Sequence, residues 1–416
     1  MKTLKVILIG AGLRGNVYSD WAAKAAGEVQ IVGVAEPDER RRKDFQKKFN
    51  LTDEVCLDTW QEVFSKEKWA DVVMICTQDN MHYEPTIAAI EKGYDILLEK
   101  PIAPTAKECR DIEKAANKKG VKIVVCHVLR YTPLFREIKR ILENGEIGEI
   151  VQMVHNENVG NTHHAHSFVR GNWGITSKSS PMILAKSCHD LDIMQWLIDK
   201  KCLRLSSFGS LKHFNKENCP ENAPMRCTDG CEEVDCPYDT RQLYYGGDLG
   251  WFRKAAVGTS EEPTDEDVDN ALKTGPYGRC VYQCDNDVVD HQVVSMEFED
   301  GVTAIFSMSS FTPDISRSLK IMGTKGQIKA HQDSDTIIVS DFISRKDKEI
   351  KVTAEGGHGG GDKGIAEAII RYFKGGTGVP GVSEISISAD NHMLSFAAEK
   401  SRLSGGKVVE MSVFEG

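Results

Sequence analysis

The first fifteen residues place the strongest constraint on the fold. Residues 4–10, LKVILIG, are a continuous apolar run, as expected for a strand buried on both faces. They lead directly into GAGLRG, which has glycines at positions 10, 12 and 15. In such a strand-to-helix turn the first glycine permits a tight turn, the second lets the main chain approach a pyrophosphate, and the third allows close helix packing. A helical stretch follows, so the segment predicts a dinucleotide-binding unit.

A second apolar strand, VQIVGVAE, ends at Glu36, where a carboxylate can accept hydrogen bonds from an adenosine ribose. A carboxylate there repels a 2′-phosphate, so NAD is favoured over NADP. The neighbouring Arg40, Arg41 and Arg42 leave the alternative open, since an arginine could fold back to a phosphate. We interpret these three as a solvated helix face.

Further strand-like runs lie at 71–77, 94–100 and 121–128 and alternate with helical segments. This alternation predicts an α/β fold with a doubly wound parallel sheet, a Rossmann domain over residues 1–128. After residue 128 one helix is followed by several strands, and Asp300-Gly301 between two of them indicates a hairpin. The second domain, 129–416, is therefore expected to be α+β with an open, mostly antiparallel sheet.

Charge and hydropathy exclude several classes of protein. The chain of 416 residues has a formal net charge of −10, which argues against a nucleic-acid partner. It contains no apolar stretch of about 20 residues, so we expect no membrane span. The apolar N-terminal run stops after a strand's length without a cleavage site, and we expect a cytoplasmic protein.

The segment VVMICTQDNMHYEPTIAAIEKGYDILLEKP, residues 72–101, carries a specific resemblance. Together with GAGLRG it resembles the Gfo/Idh/MocA family of glucose–fructose oxidoreductase, inositol dehydrogenase and MocA. The resemblance implies an NAD(P)-dependent oxidoreductase in which the lysine of Glu-Lys-Pro, here Lys100, lies beside the nicotinamide and binds the substrate hydroxyl. Cofactor contacts are then expected at Gly10, Gly12, Leu13, Arg14, Gly15, Glu36, Thr77, Gln78, Asn80, His82, Glu99 and Lys100.

The stretch ILAKSCHDLD, residues 183–192, matches the family's D-x-x-x-H motif with one departure. His189 matches the histidine, but Ala185 stands at the aspartate position and Lys186 follows it. Residues three or four apart share one face of a helix, so Lys186, His189 and Asp190 are predicted to form a polar corner at the nicotinamide. We expect His189 to be the general base, with Lys186 and Lys100 orienting the oxygen. The alternative is a structural role for both Lys186 and His189.

Two more polar segments are candidates for the same cleft. Residues 155–173 hold His155, His163, His164 and His166, and GGHGGGD at 356–362 ends in Asp362. The histidine spacing does not fit a metal motif, so a loop around a polyhydroxylated ligand is favoured. A plain mobile loop is an equal alternative for 356–362. The predicted substrate contacts are Tyr131, His164, His166, Arg170, Trp173, Asp190, His358 and Asp362.

Residues 212–282 interrupt the strand pattern and are interpreted as an insertion. Four cysteines lie within eighteen residues of it, at Cys219, Cys227, Cys231 and Cys236. Four thiols this close can surround one tetrahedral ion, so structural zinc is predicted, with an iron–sulfur cluster or unliganded thiols as alternatives.

The leading hypothesis is an NAD-dependent oxidoreductase acting on a secondary hydroxyl of a sugar, cyclitol or glycoside, in a homo-oligomer as the resemblance implies. A second hypothesis is a glycosidase that uses bound NAD transiently, by oxidation at C3 and elimination at C1. A third is a catalytically silent NAD-binding sensor, which the presence of Lys100 and His189 disfavours.

Overall fold

In the computed structural model, which describes residues 3–25, 27–246, 250–259 and 261–414, the N-terminal domain contains a six-stranded parallel sheet. Its strands are β1 (Leu4–Ile9), β2 (Val29–Ala35), β3 (Cys56–Leu57), β4 (Val72–Ile75), β5 (Asp95–Leu98) and β6 (Ile123–Val125). Its helices are α1 (Leu13–Lys24), α2 (Glu39–Phe49), α3 (Trp60–Ser65), α4 (Tyr83–Glu91) and α5 (Ala106–Lys119). The strand order β3-β2-β1-β4-β5-β6 confirms the predicted Rossmann sheet.

Helix α6 (Pro133–Glu143) leads into the second domain, which is built on a nine-stranded sheet. Its strands are β7 (Ile150–Asn158), β8 (Cys202–Ser210), β9 (His291–Phe298), β10 (Thr303–Ser309), β11 (Ser316–Gly323), β12 (Gly326–His331), β13 (Thr336–Asp341), β14 (Asp347–Lys351) and β15 (Val409–Glu410). All neighbours are antiparallel except β7 and β10. The hairpin predicted at Asp300-Gly301 is confirmed, and both residues have positive φ, 58° and 73°.

Helices cover one face of this sheet and join it to the first domain. Between β7 and β8 lie α7 (Asn161–His164), a π-helix (Ala165–Arg170), α8 (Met182–Ala185) and α9 (Cys188–Ile198), and near the C-terminus lie α13 (Gly361–Phe373) and α14 (Ile385–Leu403). Ile365 and Ile369 of α13 pack into the core of the Rossmann domain, as do Ile385 and Met393 of α14. Leu394 and Ala397 of α14 also lie in the core of the second domain, so α14 joins the two sheets.

In its described residues the insertion contains three short α-helices, α10 (Thr240–Leu243), α11 (Gly250–Val257) and α12 (Asp265–Thr274). It has a small hydrophobic cluster of its own, around Tyr244, Phe252 and Leu272. It also reaches the first domain, where the Arg41 guanidinium donates a hydrogen bond to the carbonyl of Gly258 at 3.2 Å.

Among the described residues, no helix is long and apolar enough to cross a membrane.

Candidate active site

The glycine-rich turn lies at the carboxyl end of β1, where the strand order reverses between β1 and β4. Gly10 has φ +92°, and a Cβ there would lie 2.6 Å from the carbonyl oxygen of Cys76. A Cβ at Gly15 would lie 2.2 Å from the carbonyl of Gly10, whereas one at Gly12 would meet nothing within 4 Å. Gly10 and Gly15 are thus required by packing, whereas Gly12 leaves the main chain accessible at the N-terminus of α1. This arrangement fits a dinucleotide pyrophosphate.

Glu36 follows β2 and is positioned by the glycine turn itself. Its carboxylate accepts hydrogen bonds from the main-chain N–H groups of Ala11, at 2.7 Å, and Asp38, at 3.0 Å. The nearby Arg42 donates to the carbonyl of Glu36 and forms an ion pair with Asp58. The Glu36 carboxylate, which is predicted to bind the ribose, is therefore held in place, and Arg42 is engaged with the Glu36 carbonyl and Asp58.

The Glu-Lys-Pro motif follows β5 at the same edge of the sheet. The buried Glu99 carboxylate accepts hydrogen bonds from Arg14 Nε at 3.0 Å and from the Tyr18 hydroxyl at 2.7 Å. Burial alone would raise the pKa of Glu99, but Arg14, Lys100 and Tyr18 outweigh it and lower the pKa. Glu99 is thus a fixed anion that links the glycine turn to Lys100.

Lys100 reaches across to the second domain. Its Nζ donates a hydrogen bond of 2.7 Å to the carbonyl oxygen of Ala185, at the position where the D-x-x-x-H motif has its aspartate. Helix α8 ends at Ala185 and α9 begins at Cys188. A carbonyl at a helix end has no intrahelical partner, so the break between these helices supplies the acceptor for the lysine.

His189, in the first turn of α9, is buried beside this lysine. Its Nδ1 has no hydrogen-bond partner within the described part of the chain. Burial, followed by the charges of Lys100, His127, Arg317 and His358, lowers the pKa of His189 well below its usual value. The imidazole is therefore neutral at pH 7, as a general base must be before it accepts a proton.

Lys186 joins a largely buried ionic network. Its Nζ lies 3.1 Å from a carboxylate oxygen of Glu157, and Arg317 lies 2.6 Å from the other oxygen. Arg317 also binds Asp190 at 2.8 Å, and His155 Nε2 lies 2.8 Å from the same oxygen of Asp190. Burial lowers the pKa of Lys186 and raises that of Glu157.

The loop at 356–362 closes over the glycine turn. Arg14 binds Asp362 at 2.7 Å, and the other oxygen of Asp362 lies 3.1 Å from His358 Nδ1. The His358 side chain is 42% exposed and has φ +51°. The two predicted ligand-loop residues are thus brought to the cofactor turn and linked to each other.

The segment after β4 lies at the same carboxyl edge of the Rossmann sheet. Asp79, which the sequence analysis missed, is buried and accepts hydrogen bonds from Trp173 Nε1, at 3.1 Å, and from the hydroxyls of Ser179 and Ser180. Among the predicted cofactor contacts Leu13, Gln78 and Asn80 are exposed and Thr77 is partly buried. Both nitrogens of His82 lie near main-chain carbonyls, those of Pro101 at 2.6 Å and Thr77 at 3.1 Å.

Four residues that were predicted to contact the substrate instead contact other parts of the protein. His164 packs between Phe168 and Phe214, and His166 stacks between Phe252 and Tyr277, with ring centroids 4.2 and 4.5 Å away. Burial lowers the pKa of each histidine to about 3. These two histidines anchor the insertion. Arg170 donates to the carbonyls of Tyr238 and Arg279, also in the insertion, while Tyr131 lies in the core against α13.

The prediction of structural zinc is not supported. Within the described ranges, no group of three or more His, Cys, Asp or Glu side chains is arranged to hold a metal ion. Cys219 and Cys236 pack in a hydrophobic cluster with Phe214 and Val281. Cys227, Cys231 and Cys236 line a small cavity, but its wall includes the guanidinium of Arg170, whose positive charge opposes a cation.

The sequence analysis also missed Glu157, Arg317 and His127, which surround the polar corner. Glu157 had a usable signal, because it alternates with His155 along β7 and so faces the same side of the sheet. Arg317 had none, since only the pairing of β11 with β7 places it opposite Glu157.

Comparison with known sequences identifies two matching family models. One, described as an oxidoreductase family with an NAD-binding Rossmann fold, matches residues 4–127, and the other, the C-terminal α/β domain of the same family, matches residues 139–358. YteT of Bacillus subtilis (strain 168) is 25% identical over 355 residues, 81% of each chain. Inositol 2-dehydrogenase 4 of Saccharopolyspora erythraea is 27% identical over 229 residues, 55% of this chain and 62% of the relative.

Solved structures share the architecture over nearly the whole chain. An inositol dehydrogenase homologue complexed with NAD+, from Azotobacter vinelandii, has a TM-score of 0.70 at 14% identity and covers 98% of this chain and 97% of its own. An NAD-binding oxidoreductase from Klebsiella pneumoniae has a TM-score of 0.71 at 16% identity, with coverage of 98% and 99%. At these identities the likeness shows the fold alone.

Proposed function

The chain belongs to the Gfo/Idh/MocA oxidoreductase family, and from that premise we propose that it transfers hydride between NAD and the carbon of a secondary hydroxyl in a sugar, cyclitol or glycoside. The observation that carries the proposal is the meeting of Lys100, the Ala185 carbonyl and buried His189 at the carboxyl edge of the Rossmann sheet. The glycine turn and Glu36 supply the residues that would hold the cofactor.

Bound NAD supplies the hydride acceptor, and the protein handles the proton. In the oxidation direction the substrate O–H bond breaks, its proton moves to His189, and the hydrogen on the same carbon leaves as hydride. Lys100 donates a hydrogen bond to the developing alkoxide. Burial lowers the pKa of Lys186. In this proposal Lys186 and its ion-pair partner Glu157 line the substrate site and bind further substrate hydroxyls.

The preference for NAD over NADP follows from the surroundings of Glu36. Two main-chain N–H groups fix its carboxylate, and Arg41 and Arg42 donate to other acceptors, Gly258 and the Glu36 carbonyl. A 2′-phosphate would meet the fixed negative charge of the Glu36 carboxylate, which disfavours its binding.

A second candidate function, the NAD-dependent glycosidase, is favoured by one observation, the pairing of His358 with Asp362. A carboxylate that holds one nitrogen of an imidazole leaves the other available as a base. After oxidation at C3, such a base can remove the acidified C2 proton while the C1 substituent leaves. Water then adds to the C1–C2 double bond, with its oxygen at C1 and a proton at C2, and the C3 ketone is reduced again.

One experiment separates the two candidates. Purified protein with added NAD is mixed with free sugars, cyclitols and aryl glycosides while NADH absorbance is followed. Stoichiometric NADH formation with a polyol is expected, and it would be absent in Lys100→Met. Release of the aryl group without NADH would instead establish the glycosidase, and neither signal from any substrate would refute both.

A homo-oligomer is proposed from the outer face of the second sheet. Phe208, Val293 and Ile305 lie on adjacent strands of this face and are 57%, 41% and 40% exposed. Exposed apolar side chains grouped in this way are typical of protein interfaces. Sedimentation of the wild type and of Phe208→Asp tests the proposal, and a wild type that sediments as a monomer would refute it.

A cytoplasmic location is also proposed. All twelve cysteines are free thiols, as expected in a reducing compartment. Fractionation of cells that express the chain tests this proposal.

A further inference from the structure

His127 lies directly behind the general base of the proposed function. It follows β6 and is completely buried. Its ring stands edge-on to that of His189, with centroids 5.8 Å apart and planes at 81°. On its other side is the ring of His392, at 5.4 Å and 67°. The three imidazoles thus form a row that begins at the reacting site.

The hydrogen bonds of this row are unevenly distributed. His392 is satisfied, because its Nε2 accepts from the N–H of Ile102 at 3.1 Å and its Nδ1 lies 2.7 Å from the carbonyl of Ser388. In the described structure both nitrogens of His127 and Nδ1 of His189 lack partners. A buried polar group without a partner is destabilising, because it has lost its hydrogen bonds to water without replacing them. Three such nitrogens on two adjacent rings indicate that the imidazoles of His127 and His189 hydrogen-bond to each other during the reaction.

A fixed negative charge stands behind His127. Its Nδ1 lies 3.7 Å from Asp192, which accepts two hydrogen bonds of 2.7 Å from Arg130 and one of 2.6 Å from Asn391. The charged and titratable groups that face His127 are Asp192, Arg130, Lys100, Glu99, His189 and His392. Burial lowers the pKa of His127 to about 4, so its ring is neutral at pH 7.

A neutral imidazole carries one donor and one acceptor nitrogen. The carboxylate of Asp192 favours the proton on Nδ1 of His127, which leaves Nε2 as the acceptor. Lys100 and Arg317 place positive charge near His189 and disfavour its protonation. Nε2 of His127, with the Asp192 carboxylate behind its ring, instead favours protonation of His189.

We propose that His127 is a positioning residue for the hydride transfer. The two rings are adjacent without a hydrogen bond in the described structure, and a rotation of either ring lets Nε2 of His127 accept the Nδ1–H of His189. This bond fixes the ring and leaves Nε2 of His189 free for the substrate proton, while Asp192 behind His127 stabilises the imidazolium that forms. The inference rests on the proposed function, because it takes His189 as the base. It assigns no contact with substrate to His127.

The first test needs no turnover. In protein labelled with ¹⁵N-histidine, the shifts of His189, assigned with His189→Gln, report which nitrogen carries the proton. We expect the Nδ1–H tautomer in the wild type, a mixture in His127→Phe, and partial recovery in His127→Gln. The matched control is His392→Gln, which changes the other neighbour of His127 and should leave the tautomer as in the wild type. An unchanged tautomer in both His127 variants would overturn the proposal.

The second test uses kinetics. In His127→Phe we expect kcat to fall about tenfold or more, as for loss of support to a general base, with NAD affinity and substrate KM nearly unchanged. His127→Gln should recover part of the rate, which a merely structural residue would not do if both variants fold equally. A wild type inactive with every substrate would refute the proposed function, whereas an active wild type with an unaffected His127→Phe would refute only the role of His127.

Discussion

Replacing Arg317 with methionine tests the ionic network that supports the polar corner. The guanidinium lies 2.6 Å from Glu157 and 2.8 Å from Asp190, and the side chains of these residues are 8%, 0% and 0% exposed. Arg317→Met keeps most of the side-chain volume but leaves Glu157 with Lys186 alone and Asp190 with His155. Removal of one partner from a buried ion pair costs about 3–5 kcal/mol.

The cost translates into a measurable change in melting temperature. For a domain of this size each kcal/mol corresponds to roughly 2–4 °C, so we expect Tm to fall by about 6 °C or more. The matched control is Arg204→Met, which breaks an ion pair with Glu297 across the same sheet at 2.7 Å, where the side chains are 52% and 37% exposed. An exposed pair contributes little to stability, so this control should lower Tm by about 4 °C at most.

The deficit should also depend on pH. Burial raises the pKa of Glu157, and loss of the guanidinium raises it further. A carboxyl group with a raised folded-state pKa binds a proton that the unfolded chain releases. The contribution of that group to the stability of the folded state is therefore lost as pH rises through the raised pKa. Thermal unfolding followed by circular dichroism at pH 5.5 and pH 8 should therefore show the larger deficit at pH 8. A loss no larger than that of Arg204→Met at both values would refute the reasoning.

Three further predictions concern the reaction. Lys100→Met should lower kcat by about 10²–10⁴-fold while NAD binding, measured by calorimetry, is retained; a variant of normal rate would contradict the role of the lysine. Glu36→Gln should weaken NAD about tenfold, through loss of a charged acceptor, and improve NADP; unchanged KM values for both cofactors would contradict this. Because the pKa of His189 is lowered, it stays neutral as pH falls through 6.5, so kcat/KM should not decline until pH is well below 6.5; a decline centred at 6.5 would indicate an unperturbed histidine.

The Rossmann domain could be predicted because its signals are local. The strand, the glycines at 10, 12 and 15, and the carboxylate at Glu36 all lie within 33 residues, and each has one physical reason for its position. The resemblance through Lys100 and His189 likewise rested on short motifs, and in the structure Lys100 reaches the carbonyl of Ala185, four residues before His189. Local sequence patterns were sufficient to predict features that are formed by residues close together in the sequence.

The supporting residues could not be predicted because they come from distant segments. Arg317 meets Glu157 only through the pairing of β11 with β7, and Asp192 meets His127 across 65 residues. His164 and His166 were placed in the cleft because polar side chains suggested a ligand. Aromatic residues of the insertion, which no local pattern assigns to them, surround both rings instead.

The replacement of the motif aspartate by Ala185 is explained by what the main chain provides. The break between α8 and α9 exposes a carbonyl that accepts the Lys100 hydrogen bond, so the lysine is oriented without a carboxylate. A carbonyl carries no net charge, and His189, the proposed base, therefore lacks the anion that an aspartate four residues earlier would place beside it. Asp192 behind His127 is a fixed carboxylate on the other side of His189, and it can stabilise the imidazolium from there. On this reasoning Ala185→Asp should reduce the dependence of kcat on His127, a coupling that a double-mutant cycle measures directly.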